Sequence, residues 1–423
     1  MASELERRLD VWDAAALIVG IVIGAGIFVA PQIAAQSVPN ATVMLILWVA
    51  AGALAFCGSL AYGELSGLMP QTGGQYVFLR EAYSPLAGFL CGWGIFWIIQ
   101  PAVLAFLAAS LGRYVPAAPQ LTAYGSLVLL ATLNVLGVGP AALFQRLSTV
   151  VKTVGLLILF AAALFIERPA PVDWSLPSEF PWAAAGVALI AVLYTYEGWS
   201  FASFVVGELR HPGRDLPRAF ALSLSLCAAL YIATNLAYLR VLGPEGIVKA
   251  DRAASIVAER SLGSWGEAAL TFTAIFCIVS SLNGVLLTGA RVTFAQARDG
   301  LFFAPFAELH PRFGTPAAAI AAQSGLALFT LATGFYATLL DYLMFTFAVL
   351  NLPTVLAVAV FRRRAPRAER PARMWGYPWT LILFSIAVAW FIANTLRERP
   401  QPALTALGVL ATGIPVYALW KRR

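Results

Sequence analysis

The sequence predicts an all-α integral membrane protein with twelve transmembrane helices. Of its 423 residues, 60% are hydrophobic and 12% charged, and mean hydropathy is +0.79. A soluble domain is about 45–50% apolar and about 25% charged. Twelve apolar stretches follow one another, near 11–35, 42–66, 84–110, 122–140, 147–166, 182–207, 219–242, 267–295, 316–334, 338–361, 377–396 and 402–420. A spanning helix needs roughly 20 mostly apolar residues. The loops between them are too short to hold a soluble domain, so residues 1–423 read as one transmembrane domain.

Charge sets the orientation. With the N-terminus inside, the cytoplasmic side collects twenty of the 28 Lys and Arg residues, among them Arg7, Arg8, Arg146, the cluster Arg362–Arg373, and Lys421, Arg422 and Arg423. That asymmetry fits the positive-inside rule with both termini cytoplasmic. The net charge of +7 is therefore accounted for by topology, and no nucleic-acid partner is expected. The Arg362–Arg373 cluster reads as a topology determinant facing the lipid surface. The first apolar stretch is too long for a secretory signal and has no clear cleavage site. Cys57, Cys91, Cys227 and Cys277 all fall inside spans without a CxxC pattern, and His211 and His310 lie in loops, so neither disulfide, metal site nor cofactor is expected.

The first stretch carries Gly20-Ile-Val-Ile-Gly-Ala-Gly-Ile-Phe28 at its centre. Gly24 and Gly26 are poor helix material. A helix that opens in mid-membrane is tolerated only where it lines a cavity or binds something, because lipid offers its backbone no partners. Freed N–H groups suit a carboxylate and freed carbonyls an ammonium, the two ends of a zwitterion. The other reading makes Gly20 and Gly24 a small-residue face for helix packing. The sixth stretch has a similar interruption at Tyr196-Glu-Gly-Trp-Ser200. Paired interruptions in corresponding positions suggest inverted repeats, about 11–166 and 182–361, with 377–396 and 402–420 added.

Ionisable residues inside spans are functional candidates. Glu197 stands at the second interruption. It reads as a counter-charge for a cationic substrate, as a proton acceptor coupled to transport, or as a structural carboxyl. Lys152, about one turn inside the fifth stretch, reads as a lysine snorkelling to the interface or as an ammonium occupying a cation site. Glu64, Arg80 and Glu81 read as interfacial groups with gate contacts, and Asp341 and Arg240 as interfacial. Ser280, Ser281 and Asn283 are placed to hydrogen-bond across helices. Tyr194 and Trp199 flank the second interruption and read as packing or as substrate caps.

Several of these stretches resemble one family. Gly20 to Pro31, Ala61-Tyr-Gly-Glu-Leu65 and Met69-Pro-Gln-Thr-Gly-Gly-Gln-Tyr76 resemble motifs of the amino acid–polyamine–organocation superfamily. Tyr196–Ser200 continuing to Gly207–Arg218, Thr234–Leu239, Ser281–Gly284 with Ala290–Phe294 and Arg298–Gly300, and Ile98–Pro101 resemble its L-type amino acid transporter branch.

The resemblance implies a leucine-transporter-type fold with a 5+5 inverted repeat, broken helices 1 and 6, and alternating access. It implies an amino acid substrate held by Ile23, Gly24, Ala25, Gly26, Ile27, Tyr194, Thr195, Tyr196, Glu197 and Ser200. The carboxylate would meet N–H groups around Gly24–Gly26, and the amine carbonyls near Ile23 and Tyr194–Glu197. Tyr194 and Trp199 would gate, and Lys152 would replace a coupling ion. The loop Gly112–Thr122 lacks the cysteine through which animal L-type carriers join a heavy chain, which implies a free-standing carrier.

The function expected is sodium-independent amino acid transport across the cytoplasmic membrane, as an exchanger or proton-coupled carrier. A polyamine or organic-cation carrier would leave the first break without its anion. An intramembrane enzyme would need a metal cluster or nucleophile–base pair that no span supplies, and a channel would need a filter-like loop.

Overall fold

Local chemistry sets the first helix. Asp10 accepts from the N–H groups of Trp12 and Asp13 while Asp13 accepts from Asp10, a reciprocal cap that starts α1 (Val11–Val22). The helix ends at Val22, and α2 (Gly26–Ser37) continues at an angle of 46°. The computed structural model describes residues 5–250 and 252–420. Lys421, Arg422 and Arg423 lie outside the described residues, and so does the side chain of Asp341.

Asn40 caps α3 (Ala41–Leu68), and a short α4 (Gln75–Ala82) follows the Pro70–Gly74 turn. Ser84 caps α5 (Pro85–Arg113), which widens into a π-helical turn at Ile95–Ile99 just before Pro101. Proline has no N–H to give the preceding turn, and the wider ladder accommodates the gap. α6 (Pro119–Val135) and α7 (Val138–Leu164) are separated by Gly137, at φ +141°. α8 (Trp182–Tyr196) ends at the second break, and a 3₁₀ helix covers Trp199–Glu208. Then come α9 (Pro212–Lys249), interrupted at Gly243, α10 (Ala253–Leu262) and α11 (Gly266–Arg298). α12 (Ala317–Thr333), α13 (Tyr336–Arg364), α14 (Trp379–Glu398) and α15 (Pro400–Trp420) complete the chain.

The all-helical expectation holds. Among the described residues, nine helices are long and apolar enough to cross a membrane, ten if α1 and α2 form one bent span. α6 and α12, of 17 residues each, stand at the lower limit of spanning length. Helix α7 starts at Val138, not near 147. Lys152 is therefore about four turns inside it, near mid-membrane depth. α10 occupies the predicted loop between the seventh and eighth stretches.

α1 packs against α7, α9 and α11, while α3 lies along α9 and α8. α5 packs against α6, α11, α12 and α13. α14 and α15 cover α3, α13 and α5 from outside and turn most of their surface outward, as lipid-facing helices do. A β-bridge joins Leu9 to Leu209, so the approach to α1 lies beside the end of the 3₁₀ helix.

On the face holding the N-terminal segment, ion pairs tie these layers. Arg146 binds Asp10 and Asp13, and Arg80 binds Asp299, which also accepts from Tyr76 at 2.6 Å. Arg291 on α11 meets Glu208 at 2.8 and 3.2 Å, with both side chains only 1% exposed. Glu64, about one turn from the end of α3, is buried within the protein. It accepts from Arg362, Arg370 and the Met374 N–H. A lone carboxylate there would be costly, and these donors compensate it. Part of the arginine cluster is thus consumed as internal structure.

Candidate substrate site

The two breaks lie side by side. At the first, Ile23, Gly24 and Ala25 lie between α1 and α2, and Ile23 leaves helical dihedrals. At the second, Glu197 is extended and Gly198 sits at φ +101°, a conformation glycine tolerates and other residues rarely adopt. A Cβ at Gly198 would stand 2.4 Å from Ile21 Cγ2, and one at Gly26 would stand 3.0 Å from Thr195 Cγ2. Glycine at these points lets the two broken helices touch.

The end of α1 exposes backbone carbonyls, and side chains from three other helices meet them. Lys152 Nζ on α7 donates to Gly20 O at 2.7 Å and to Ile23 O at 2.8 Å. Ser281 on α11 donates within reach of Gly20 O and Ile21 O, at 2.8 and 3.1 Å. Tyr231 on α9 places its hydroxyl 2.8 Å from both Val22 O and Thr195 O, so its proton is shared between the two breaks. Behind them, Asn134, Asn283, Gln145 and Ser280 form a buried hydrogen-bonded chain across α6, α11 and α7.

Lys152 is completely buried, which removes the snorkelling alternative. Its length and charge place an ammonium where unwound carbonyls converge, a position a small cation would otherwise suit. Both readings of the first glycine run also turn out to apply at different residues. Gly20 is a packing glycine, since a Cβ there would overlap Gln145 Nε2 at 1.6 Å, whereas Gly24 lies in the break itself.

A cavity of about 80 Å³ sits at the meeting point. Gly24, Ala25, Gly26, Tyr194, Thr195 and Glu197 line it, together with Ser281. The opening turn of α2 leaves N–H groups there without intrahelical acceptors, and the last turn of α8 leaves carbonyls. One helix end is partly positive and the other partly negative. Apolar side chains from α5 and α13, among them Phe106 and Phe347, close the remaining wall.

Not every expected site residue reaches this cavity. Ile23 and Ile27 are buried, and the Ile23 carbonyl is turned to Lys152. Tyr196 faces α3, with its hydroxyl 3.2 Å from Trp48 O. Trp199 packs edge-on against Tyr62, Phe220 and Phe384, away from the cavity. Ser200 is buried, and its carbonyl accepts from Ser203. Sequence reasoning passed over Tyr231, Phe106 and Phe347. A tyrosine or phenylalanine in an apolar helix carries no signal of its facing until neighbouring helices are placed.

A family model described as amino acid permease matches residues 9–413. The chain belongs to the amino acid permease family. This permease is 29% identical to the serine/threonine exchanger SteT of Bacillus subtilis (strain 168), over 99% of its own length and 98% of the relative's. It is 27% identical to the Asc-type amino acid transporter 1 of Mus musculus, covering 98% and 81% of the two chains. It is 26% identical to the cystine/glutamate transporter of Homo sapiens, covering 99% and 86%. The resemblance to the L-type branch of the superfamily therefore holds, and the protein is an amino acid transporter and not an enzyme.

Proposed function

We propose that this permease is a sodium-independent amino acid exchanger of the bacterial cytoplasmic membrane, working by alternating access. One observation carries the reading: both broken helices open onto the same cavity, with helix ends of opposite partial charge. The α-carboxylate of the substrate binds the N–H groups of Ala25 and Gly26 at the start of α2. The α-ammonium binds carbonyls at the end of α8, where Thr195 O meets only the shared Tyr231 hydroxyl among side chains, because Gly20 O and Ile23 O of α1 already serve Lys152. The Lys152 ammonium stands in for a coupling sodium ion. Exchange is preferred to proton-coupled uptake because the Bacillus relative is an exchanger.

In this reading α6 and α12 also span, which makes twelve spans with both termini cytoplasmic. Residues 11–166 and 182–361 form inverted repeats. The bundle of α1, α2, α3, α8 and α9 rocks against the rest, with Tyr194 as the outer gate over the substrate. The permease works without a disulfide-linked heavy chain, since Cys57, Cys91, Cys227 and Cys277 are all buried and unpaired. A polyamine substrate is disfavoured because it brings no anion to α2.

The test is uptake of labelled alanine, leucine, arginine and putrescine into sodium-free proteoliposomes, either empty or preloaded with mixed amino acids. Amino acid uptake confined to preloaded vesicles supports exchange. Uptake of putrescine alone would overturn the carboxylate-binding role of α2.

A further inference from the structure

Glu197 is left over by that account. Both charged ends of a zwitterion already have partners at the two helix ends, and neither requires this carboxylate. Of the residues that line the substrate cavity, Glu197 is the one acid, and no Lys, Arg or His is among them. Its Oε2 is buried and has no hydrogen-bond partner among the described residues. The buried cation Lys152 is directed at Gly20 O and Ile23 O instead. Glu197 also lines a second cavity, of about 70 Å³, between α3, α8, α13 and α14. That cavity is walled mainly by apolar groups, including Leu54, Leu193 and Phe391, so it offers the carboxylate little to bond.

We propose that Glu197 is the specificity-determining residue of this permease: it accepts a hydrogen bond from the substrate's own side chain, so donor-bearing side chains are preferred. The preferred substrates carry a hydroxyl or a cationic group near the end of a short or extended side chain. The inference rests on the amino acid reading above and deepens it. An aliphatic side chain placed against Glu197 would cover a buried acceptor and give it nothing. A site built to hydrogen-bond a substrate group discriminates against the analogue that lacks it, because its own polar atom is then left unpaired. The extended backbone at Glu197 and the positive φ of Gly198 hold the carboxylate in the cavity wall instead of along a helix face.

The experiment is competition in counterflow vesicles with matched pairs. Serine is compared with alanine, threonine with 2-aminobutyrate, and arginine with citrulline, in the wild type, Glu197→Gln and Glu197→Leu. The readout is the ratio within each pair, which a change in total activity does not mimic. In the wild type the hydroxyl or the cationic member should compete about tenfold better than its partner. The serine and arginine arms then say which donor is meant. Glu197→Leu should bring the ratios close to one, and Glu197→Gln should abolish any preference of arginine over citrulline. Wild-type ratios near one would overturn the proposal even if both variants misfold. So would unchanged ratios in Glu197→Leu, or a loss of pH dependence in Glu197→Gln with ratios intact, which would make Glu197 a proton carrier. If no amino acid exchanges at all, the underlying transport reading fails and not only the role of Glu197.

Discussion

Lys152 donates to the carbonyl of Ile23 at 2.8 Å, across the gap between α7 and the end of α1. A side chain from one helix thereby completes the backbone of another at the point where that backbone opens. In lipid an unpaired carbonyl has no water to turn to, so the broken helix and the buried lysine are conditions for each other.

Replacing Lys152 with alanine should therefore damage both stability and transport. The variant leaves the Ile23 carbonyl without its donor, at a cost of about 1–3 kcal/mol, while Ser281 still reaches the Gly20 carbonyl. The thermal unfolding midpoint in detergent should fall, and exchange should drop about tenfold or more. A variant with wild-type midpoint and rate would mean that the hydrogen bonds to α1 are dispensable.

Gly198→Ala should be worse than its size suggests. The residue holds φ +101°, and the added methyl would meet Ile21 Cγ2 at 2.4 Å. Strained backbone of this kind costs about 1–3 kcal/mol before any clash is counted. The expected result is loss of substrate binding by the purified protein, while Gly325→Ala, at a position with open space around it, binds as the wild type does.

Tyr231→Phe isolates a smaller effect. It removes a hydroxyl that lies 2.8 Å from a carbonyl in each break and leaves the ring packing against Trp48 and Tyr196. A net hydrogen bond is worth about 0.5–1.5 kcal/mol. The half-saturating substrate concentration should rise several-fold at little change in protein yield. An unchanged value would mean that the hydroxyl does not hold the breaks together.

The ion pairs on the N-terminal face should separate by burial. Arg291→Met strands a buried Glu208, and breaking one side of such a pair costs about 3–5 kcal/mol. Its effect on thermal stability should be insensitive to salt. Arg146→Met breaks pairs with Asp10 and Asp13 that are part-exposed, so its effect should shrink as salt rises. Burial works against the Asp10 carboxylate, yet the Asp13 N–H and the Arg146 guanidinium hold its carboxyl below 3.8. A depressed acid contributes its stability above the unfolded value and loses it as pH falls through the folded one. The Arg146 contribution should thus survive at mildly acidic pH and fade only below 3.8, as stability measured against pH in wild type and Asp10→Asn would report.

Much of this architecture was legible because lipid makes the rules strict. Long apolar stretches had to be helices, and the glycines at Gly24–Gly26 and Gly198 marked the two candidate openings. Glu197 stood out because a carboxylate in a span is expensive. What stayed hidden depended on facing. Lys152 looked interfacial because the start of α7 was placed nine residues late, behind the polar run at Gln145 and Arg146. The burial of Glu64 stayed hidden because its partners, Arg362 and Arg370, come from some three hundred residues away. Trp199 and Tyr196 flank the break in sequence, but the geometry at Gly198 turns both from the cavity.

The account's central claim is that the Lys152 ammonium occupies the place of a coupling cation while the substrate is held between the two breaks. Its most direct test is the initial rate of amino acid counterflow in sodium chloride against choline chloride at matched ionic strength. Equal rates in the two salts are predicted for the wild type. Acceleration of the wild type by sodium would contradict the account.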